Sequence, residues 1–146
     1  MWAQEGVTAM GRTAEVYESV CIKDVRQAVA EAGHSVEVRD NPSGRRTLHC
    51  ETDSMTYAVQ FYPNEGHETD SFGALRFVLW MSADEISVET ANAYNAKFRF
   101  ASAYADDDCY VLQHDIIAIG ASKQNLVLSV QQWATSIDDF AQFLEE

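Results

Sequence analysis

The sequence is short of proline, cysteine and basic side chains, and each shortage excludes something. Only Pro42 and Pro63 occur, both in turn-like contexts, so no proline-rich linker divides the chain. Cysteine appears three times, as Cys21, Cys50 and Cys109. An odd set cannot close completely within one chain, and there is no C-x-x-C pair and no zinc-ribbon spacing. Buried, reduced thiols are the plain reading; one disulfide with one free thiol in an exported protein is the competing one. Ten Lys and Arg stand against 23 Asp and Glu, a formal charge of −13. Nucleic-acid backbones and anionic membranes would be repelled, so neither is an expected partner. No apolar run approaches the ~18 residues of a membrane helix, and no integral membrane segment is expected. Internal repeats, low-complexity blocks, a G-x-S-x-G elbow, a glycine-rich phosphate loop and a dinucleotide fingerprint are all missing.

What remains is an ordinary folding mixture. The 146 residues are 47% hydrophobic and 23% charged, enough for one domain with its own core. The N-terminus has neither a basic region nor an apolar stretch of ~7–15 residues, which favours a cytoplasmic location. Ala3-Gln4 resembles the remnant of a small-residue cleavage site, so a periplasmic location stays open if a signal peptide was removed before Trp2 or Gln4. Residues 1–18 read as an N-terminal tail and 19–146 as a single domain.

Ile22, Val25, Ala28, Val29 and Ala32 recur at helical spacing, and Gly33 is placed to stop that helix. Strands follow at His34–Asp40, Arg45–Glu51 and Met55–Tyr62, the first two joined by the turn Asn41-Pro42-Ser43-Gly44. In the second strand Leu48 and Cys50 alternate against Thr47 and His49; in the third, Tyr57, Val59 and Phe61 share a face. Phe72–Met81 is the most apolar strand and reads as central. A second helix starts at the N-cap Ser87, with an apolar stripe of Val88, Ala91, Tyr94, Phe98, Ala101 and Tyr104. Asp106-Asp107-Asp108 forms a turn, and a fifth strand runs through Cys109–His114 towards Ile119. Ser122 then caps a last helix with the seam Leu126, Val130, Trp133, Ile137, Phe140 and Leu144, either core or an interchain contact. The order predicts an α+β fold, an antiparallel sheet of about five strands with helices packed on one side.

Few residues suggest chemistry. His67-Glu68-Thr69-Asp70 offers metal-ligand atoms without the spacing of a metalloprotease, and Asp106-Asp107-Asp108 lacks the pattern of a calcium loop. Both read as solvated segments. His49 and Cys50 point to opposite faces of a strand, as do Cys109 and His114, so neither pair can work together. Arg39, Arg45 and Arg46 cluster around one hairpin and form a candidate contact for an anion or an acidic partner segment, against the plainer role of solubilising a turn.

The second half carries a motif. Asn92-Ala93-Tyr94-Asn95 opens a stretch continuing Lys97-Phe98-Arg99-Phe100-Ala101-Ser102-Ala103-Tyr104. An acidic turn comes next, then Tyr110-Val111-Leu112-Gln113-His114-Asp115, a glycine, and an amphipathic helix with Trp133 and Phe140. This pattern resembles the YbjN family of bacterial sensory transduction regulators over about residues 19–146, although the glycine pair that many relatives have near Gly120 is missing. The resemblance implies a fold like that of type III secretion chaperones, small acidic α+β proteins, commonly homodimeric, that hold partner segments. It supplies no established reaction or catalytic residues to carry over, and it marks Asn92 and Asn95 as motif positions; no metal or cofactor is expected. Three apart on one helix face, these can bond to neighbouring backbone in a structural role, or else contact a ligand or partner.

The leading expectation is therefore a non-enzymatic, protein-binding regulator or chaperone-like adaptor, with an unidentified protein partner and a homodimeric state. The alternative is a small-ligand sensor or enzyme in the concavity of the sheet, using residues such as His49, His114 or Asp115. A third reading makes the last helix an interchain seam in a structural assembly.

Overall fold

A computed structural model describes residues 15–40, 42, 44–62 and 70–146. The elements run α1 (Ile22–Glu31), β1 (Ser35–Asp40), β2 (Arg46–Glu51), β3 (Thr56–Tyr62), β4 (Ala74–Ser82), α2 (Val88–Lys97), β5 (Ser102–Ala105), β6 (Cys109–Ile117) and α3 (Lys123–Glu145). The strands form one antiparallel sheet in the order β1-β2-β3-β4-β6-β5. The α+β class holds, with six strands where the sequence predicts about five.

Local chemistry sets the element ends. The Asp70 carboxylate accepts the Ile22 amide at 2.8 Å, which places a negative charge on the otherwise unpaired amides at the start of α1. Gly33, at φ +95°, ends the helix in a conformation that side-chain-bearing residues resist. The Ser87 hydroxyl accepts the Thr90 amide at 3.0 Å, and Ser122 accepts the Asn125 amide at 3.1 Å. Both are N-caps. Upstream of α1, Tyr17 exchanges backbone hydrogen bonds with Gly120 and Ala121, each 2.8 Å, and Val20 bridges Phe72.

The extra strand is a correction. Helical spacing through Ala101 and Tyr104 predicts a longer second helix, yet α2 ends at Lys97. Phe98 is extended, at φ −112° and ψ 158°, and Phe100 takes φ +77°. The chain thus reverses within three residues and returns as β5 alongside β6. The last strand also runs without interruption to Ile117.

All three helices cover the same face. Ile22, Val25, Ala28 and Val29 of α1, Ala91 and Tyr94 of α2, and the α3 seam share one core with Leu48, Cys50, Tyr57, Val59, Phe61, Leu75, Phe77, Leu79, Ala103, Tyr110 and Leu112. Trp133 is fully buried, stacked on Phe77 (5.7 Å between centroids) and edge-on to Tyr57 (5.9 Å). The α3 seam is therefore core of this chain, with Leu144 packed at its margin. The alternate residues of each strand point to the other face, which no helix of the described residues covers. Registers there align Trp80, Val111 and Tyr104 in one row, Arg76 and Asp115 in the next, and Ala74 and Ile117 at the end. β4 is accordingly not buried on both faces along its length: Val78 is buried, whereas Trp80 is 54% exposed.

Candidate functional site

Two surfaces gather the residues left over from core packing. The first is a groove of about 550 Å³ beside α3. Phe100, His114 and Leu128 line it together with the uncharged polar groups of Asn125, Ser129, Gln131, Gln132 and Thr135. His114 lies on the helix-covered side of β6, opposite Phe77. Its ring stacks on Phe77 (6.4 Å, 12°), meets Phe100 edge-on, and its Nδ1 donates to the Phe100 carbonyl at 2.7 Å. That bond holds the 98–101 segment against the sheet. Phe100 itself is 63% exposed and left-handed. A bulky residue in that region is under strain, and strain kept at an exposed aromatic makes it a candidate functional position.

The second surface is the uncovered sheet face. The Asp115 carboxylate takes both Arg76 Nε (2.7 Å) and Nη2 (3.0 Å). The Arg76 hydrogen bond holds the Asp115 carboxyl below its ordinary range. Near the β1 edge a depression of about 240 Å³ is lined by Ser35, Val36, Glu37, Arg39, His49 and Glu51.

The predicted residues are scattered over these surfaces. Asn95 hydrogen-bonds both backbone groups of Ala103: Nδ2 donates to the carbonyl at 2.8 Å, and Oδ1 accepts the amide at 2.7 Å. An amide side chain here continues the sheet where β5 has no further strand among the described residues, fastening the edge to α2. Asn92 is exposed, and its side chain makes no hydrogen bond with the described residues. Arg39 pairs with Glu37 on the uncovered face. Arg46 lies on the opposite face, 3.6 Å from Asp40. The two guanidinium groups thus do not converge, and each faces a carboxylate of its own. Arg45 precedes β2 and also engages a partner. His49 and Asp115 share the uncovered face but lie three strands apart, and His114 is on the other side. The arrangement does not bring these three together.

Cys21, Cys50 and Cys109 are free thiols. Burial pushes the Cys50 thiol up to about 12, so it stays a protonated, unreactive core residue. Among the described residues no group of three or more His, Cys, Asp or Glu could hold a metal ion. Asp106-Asp107-Asp108 is the exposed turn between β5 and β6, and His67, Glu68 and Thr69 lie outside the described residues. No helix among the described residues is long and apolar enough to cross a membrane. Phe100 is the functional candidate that sequence reasoning missed; its signal was the run of aromatic and basic residues after Asn95, hidden by a continuing helical period.

Fold and surfaces together define a class: an α+β protein with helices on one side of an antiparallel sheet, whose unusual side chains line a groove and an open face. The family model described as "Putative bacterial sensory transduction regulator" matches residues 22–146. The chain belongs to this family, YbjN. No curated protein and no solved structure matches it.

Proposed function

We propose that this YbjN-family regulator acts by binding a protein partner, as a chaperone-like adaptor, and that the groove beside α3 receives the partner segment. The observation that carries the reading is Phe100, an aromatic residue kept exposed and left-handed at the groove. Its ring and Leu128 offer apolar contact, and the Asn, Gln, Ser and Thr side chains offer donors and acceptors suited to a peptide backbone. The lining contains no Asp, Glu, Lys or Arg, so the expected segment is uncharged, with an apolar residue to set against Phe100.

The test is affinity capture from an extract of the source cell with the wild-type chain and the Leu128→Glu and Trp80→Glu variants. A stoichiometric protein lost with Leu128→Glu and retained with Trp80→Glu supports the reading. The groove's size also suits a small ligand. A small molecule that co-purifies with the wild type and is absent from Leu128→Glu, with no protein partner, would replace the adaptor by a ligand sensor.

A further inference from the structure

We infer that in the free chain the groove beside α3 is occupied by the chain's own residues 6–11, which a partner segment has to displace. The inference deepens the reading of the groove proposed above and rests on it. The groove itself sets the terms. Its lining holds no Asp, Glu, Lys or Arg, and Phe100 and Leu128 stand exposed in it. A charged segment would lose hydration there without gaining an ion pair, so the groove selects an uncharged run with an apolar anchor. Residues 1–14, which precede the described chain, supply one. Their only charged side chains are Glu5 and Arg12, which cancel, so the −13 of the whole chain falls on residues 15–146. Between those two lies Gly6-Val7-Thr8-Ala9-Met10-Gly11, a run without charge whose larger apolar side chains are Val7 and Met10.

Position and reach favour this run over a segment of another protein. Tyr17 exchanges backbone hydrogen bonds of 2.8 Å with Gly120 and Ala121, immediately before the Ser122 cap of α3. The groove lies along the same helix, from Asn125 to Thr135. At ~1.5 Å per residue, Leu128 is about 11 Å and Thr135 about 21 Å along the axis from Ala121. Upstream of Tyr17, Met10 is seven residues away and Gly6 eleven. An extended chain spans about 23 and 36 Å over those lengths. Met10 thus reaches Leu128 and Phe100 with length to spare for rounding the helix. Its thioether suits the exposed Phe100 ring. The amide side chains of Asn125, Gln131 and Gln132 suit the backbone of an uncharged run. So short a tether holds the run at a roughly millimolar effective concentration, above that of an ordinary free partner.

The test is nuclear magnetic resonance of the full chain with carbon-13 in its methionine methyl groups. Met1, Met10, Met55 and Met81 give four signals, and Met10→Leu identifies that of Met10. In the wild type this methyl should be shifted upfield by the Phe100 ring and protected from a gadolinium chelate in the solvent. Leu128→Glu should abolish both effects, and Phe100→Ala the upfield shift. Met55 and Met81, packed against the core, should keep their positions in each variant and so report that it folds. A segment that binds at about 0.1 mM weakens a competitor about 10-fold from a millimolar effective concentration. A synthetic peptide of residues 5–12 should accordingly bind Met10→Glu about 10-fold more tightly than the wild type. Equal peptide affinities overturn the inference. So does a wild-type Met10 methyl as open to the chelate as free methionine, even where Leu128→Glu loses a captured protein and the adaptor reading stands. Equal protection in wild type and Leu128→Glu overturns it by placing the run elsewhere, and protection that fades on dilution by placing it on another copy. Release of Met10 by Leu128→Glu, with no protein captured by any variant, upholds the inference and removes the adaptor.

Discussion

Replacing Phe100 by alanine and by glycine separates backbone strain from ring packing. At an ordinary position the alanine variant is the more stable by roughly 0.5–1 kcal/mol, because glycine has more freedom to lose on folding. Position 100 sits at φ +77°. There an L side chain costs roughly 1–2 kcal/mol and glycine nothing. The order should reverse, with Phe100→Gly more stable than Phe100→Ala by about 0.5–1 kcal/mol. The ring is 63% exposed, so its loss alone should cost about 1 kcal/mol, a third of what a fully buried phenylalanine contributes. Phe100→Ala should then fall about 1 kcal/mol below the wild type, and Phe100→Gly should stay close to it. The bond from His114 ends on the backbone carbonyl and survives both changes. Urea unfolding followed by far-ultraviolet dichroism resolves these differences, and for a chain of this size 1 kcal/mol corresponds to about 2–4 °C in Tm. An alanine variant as stable as the glycine variant, or more so, would refute the strain at this residue and with it the observation on which the groove's function rests. Loss of partner capture by Phe100→Gly, at undiminished stability, would assign the strained ring to binding.

The motif asparagines should behave differently. Asn95→Ala frees both backbone groups of Ala103 and should cost about 2 kcal/mol, whereas Asn92→Ala should stay within about 0.5 kcal/mol of the wild type; equal urea midpoints for the two would refute the assignment. Stability should also depend on His34, which hydrogen-bonds the Tyr57 hydroxyl at 2.7 Å through Nδ1. Burial lowers its pKa, with Asp53 acting in the opposite direction. Below about pH 6.5 the unfolded chain takes up a proton that the folded chain resists. This contribution is complete above that pH and is lost as pH falls towards the folded value. Tm measured between pH 7.5 and 5.5 should fall less steeply in His34→Gln than in the wild type; parallel slopes would refute the coupling.

Much of the fold could be read from the sequence because its periods are consistent with burial. Leu126, Val130, Trp133, Ile137 and Phe140 recur at four and three and are all buried. Leu48 with Cys50, and Tyr57 with Val59 and Phe61, alternate as strands do and all face the core. The 98–105 stretch defeated the same logic. Phe98, Ala101 and Tyr104 keep helical spacing by coincidence, no glycine or proline marks the break, and the reversal depends on His114 and Asn95 binding backbone far from them in sequence. The site was less legible for a related reason. Charge counting brought Arg39, Arg45 and Arg46 together, but the pleat sends Arg39 and Arg46 to opposite faces. The groove draws its lining from β6, α3 and the 98–101 segment, which only the tertiary structure assembles.

The order of strands has a consequence for how the molecule is made. β1 to β4 form a run of hairpins between neighbours in sequence, and β5 with β6 forms another. Each can collapse early, because its strands pair with neighbours in sequence. The two pieces meet only where β6 pairs with β4, along nine registered positions from Ala74–Ile117 to Ser82–Cys109. The chain lays down the edge strand β5 before the strand that belongs inside it, so β6 enters its place as part of a hairpin already carrying that edge. Zipping this seam closes the longest loop between paired strands among the described residues, so loop-closure entropy predicts it as the slow event in folding. Contacts within β1 to β4 would then be in place before the seam closes, so substitutions there should slow folding and leave the unfolding rate nearly unchanged.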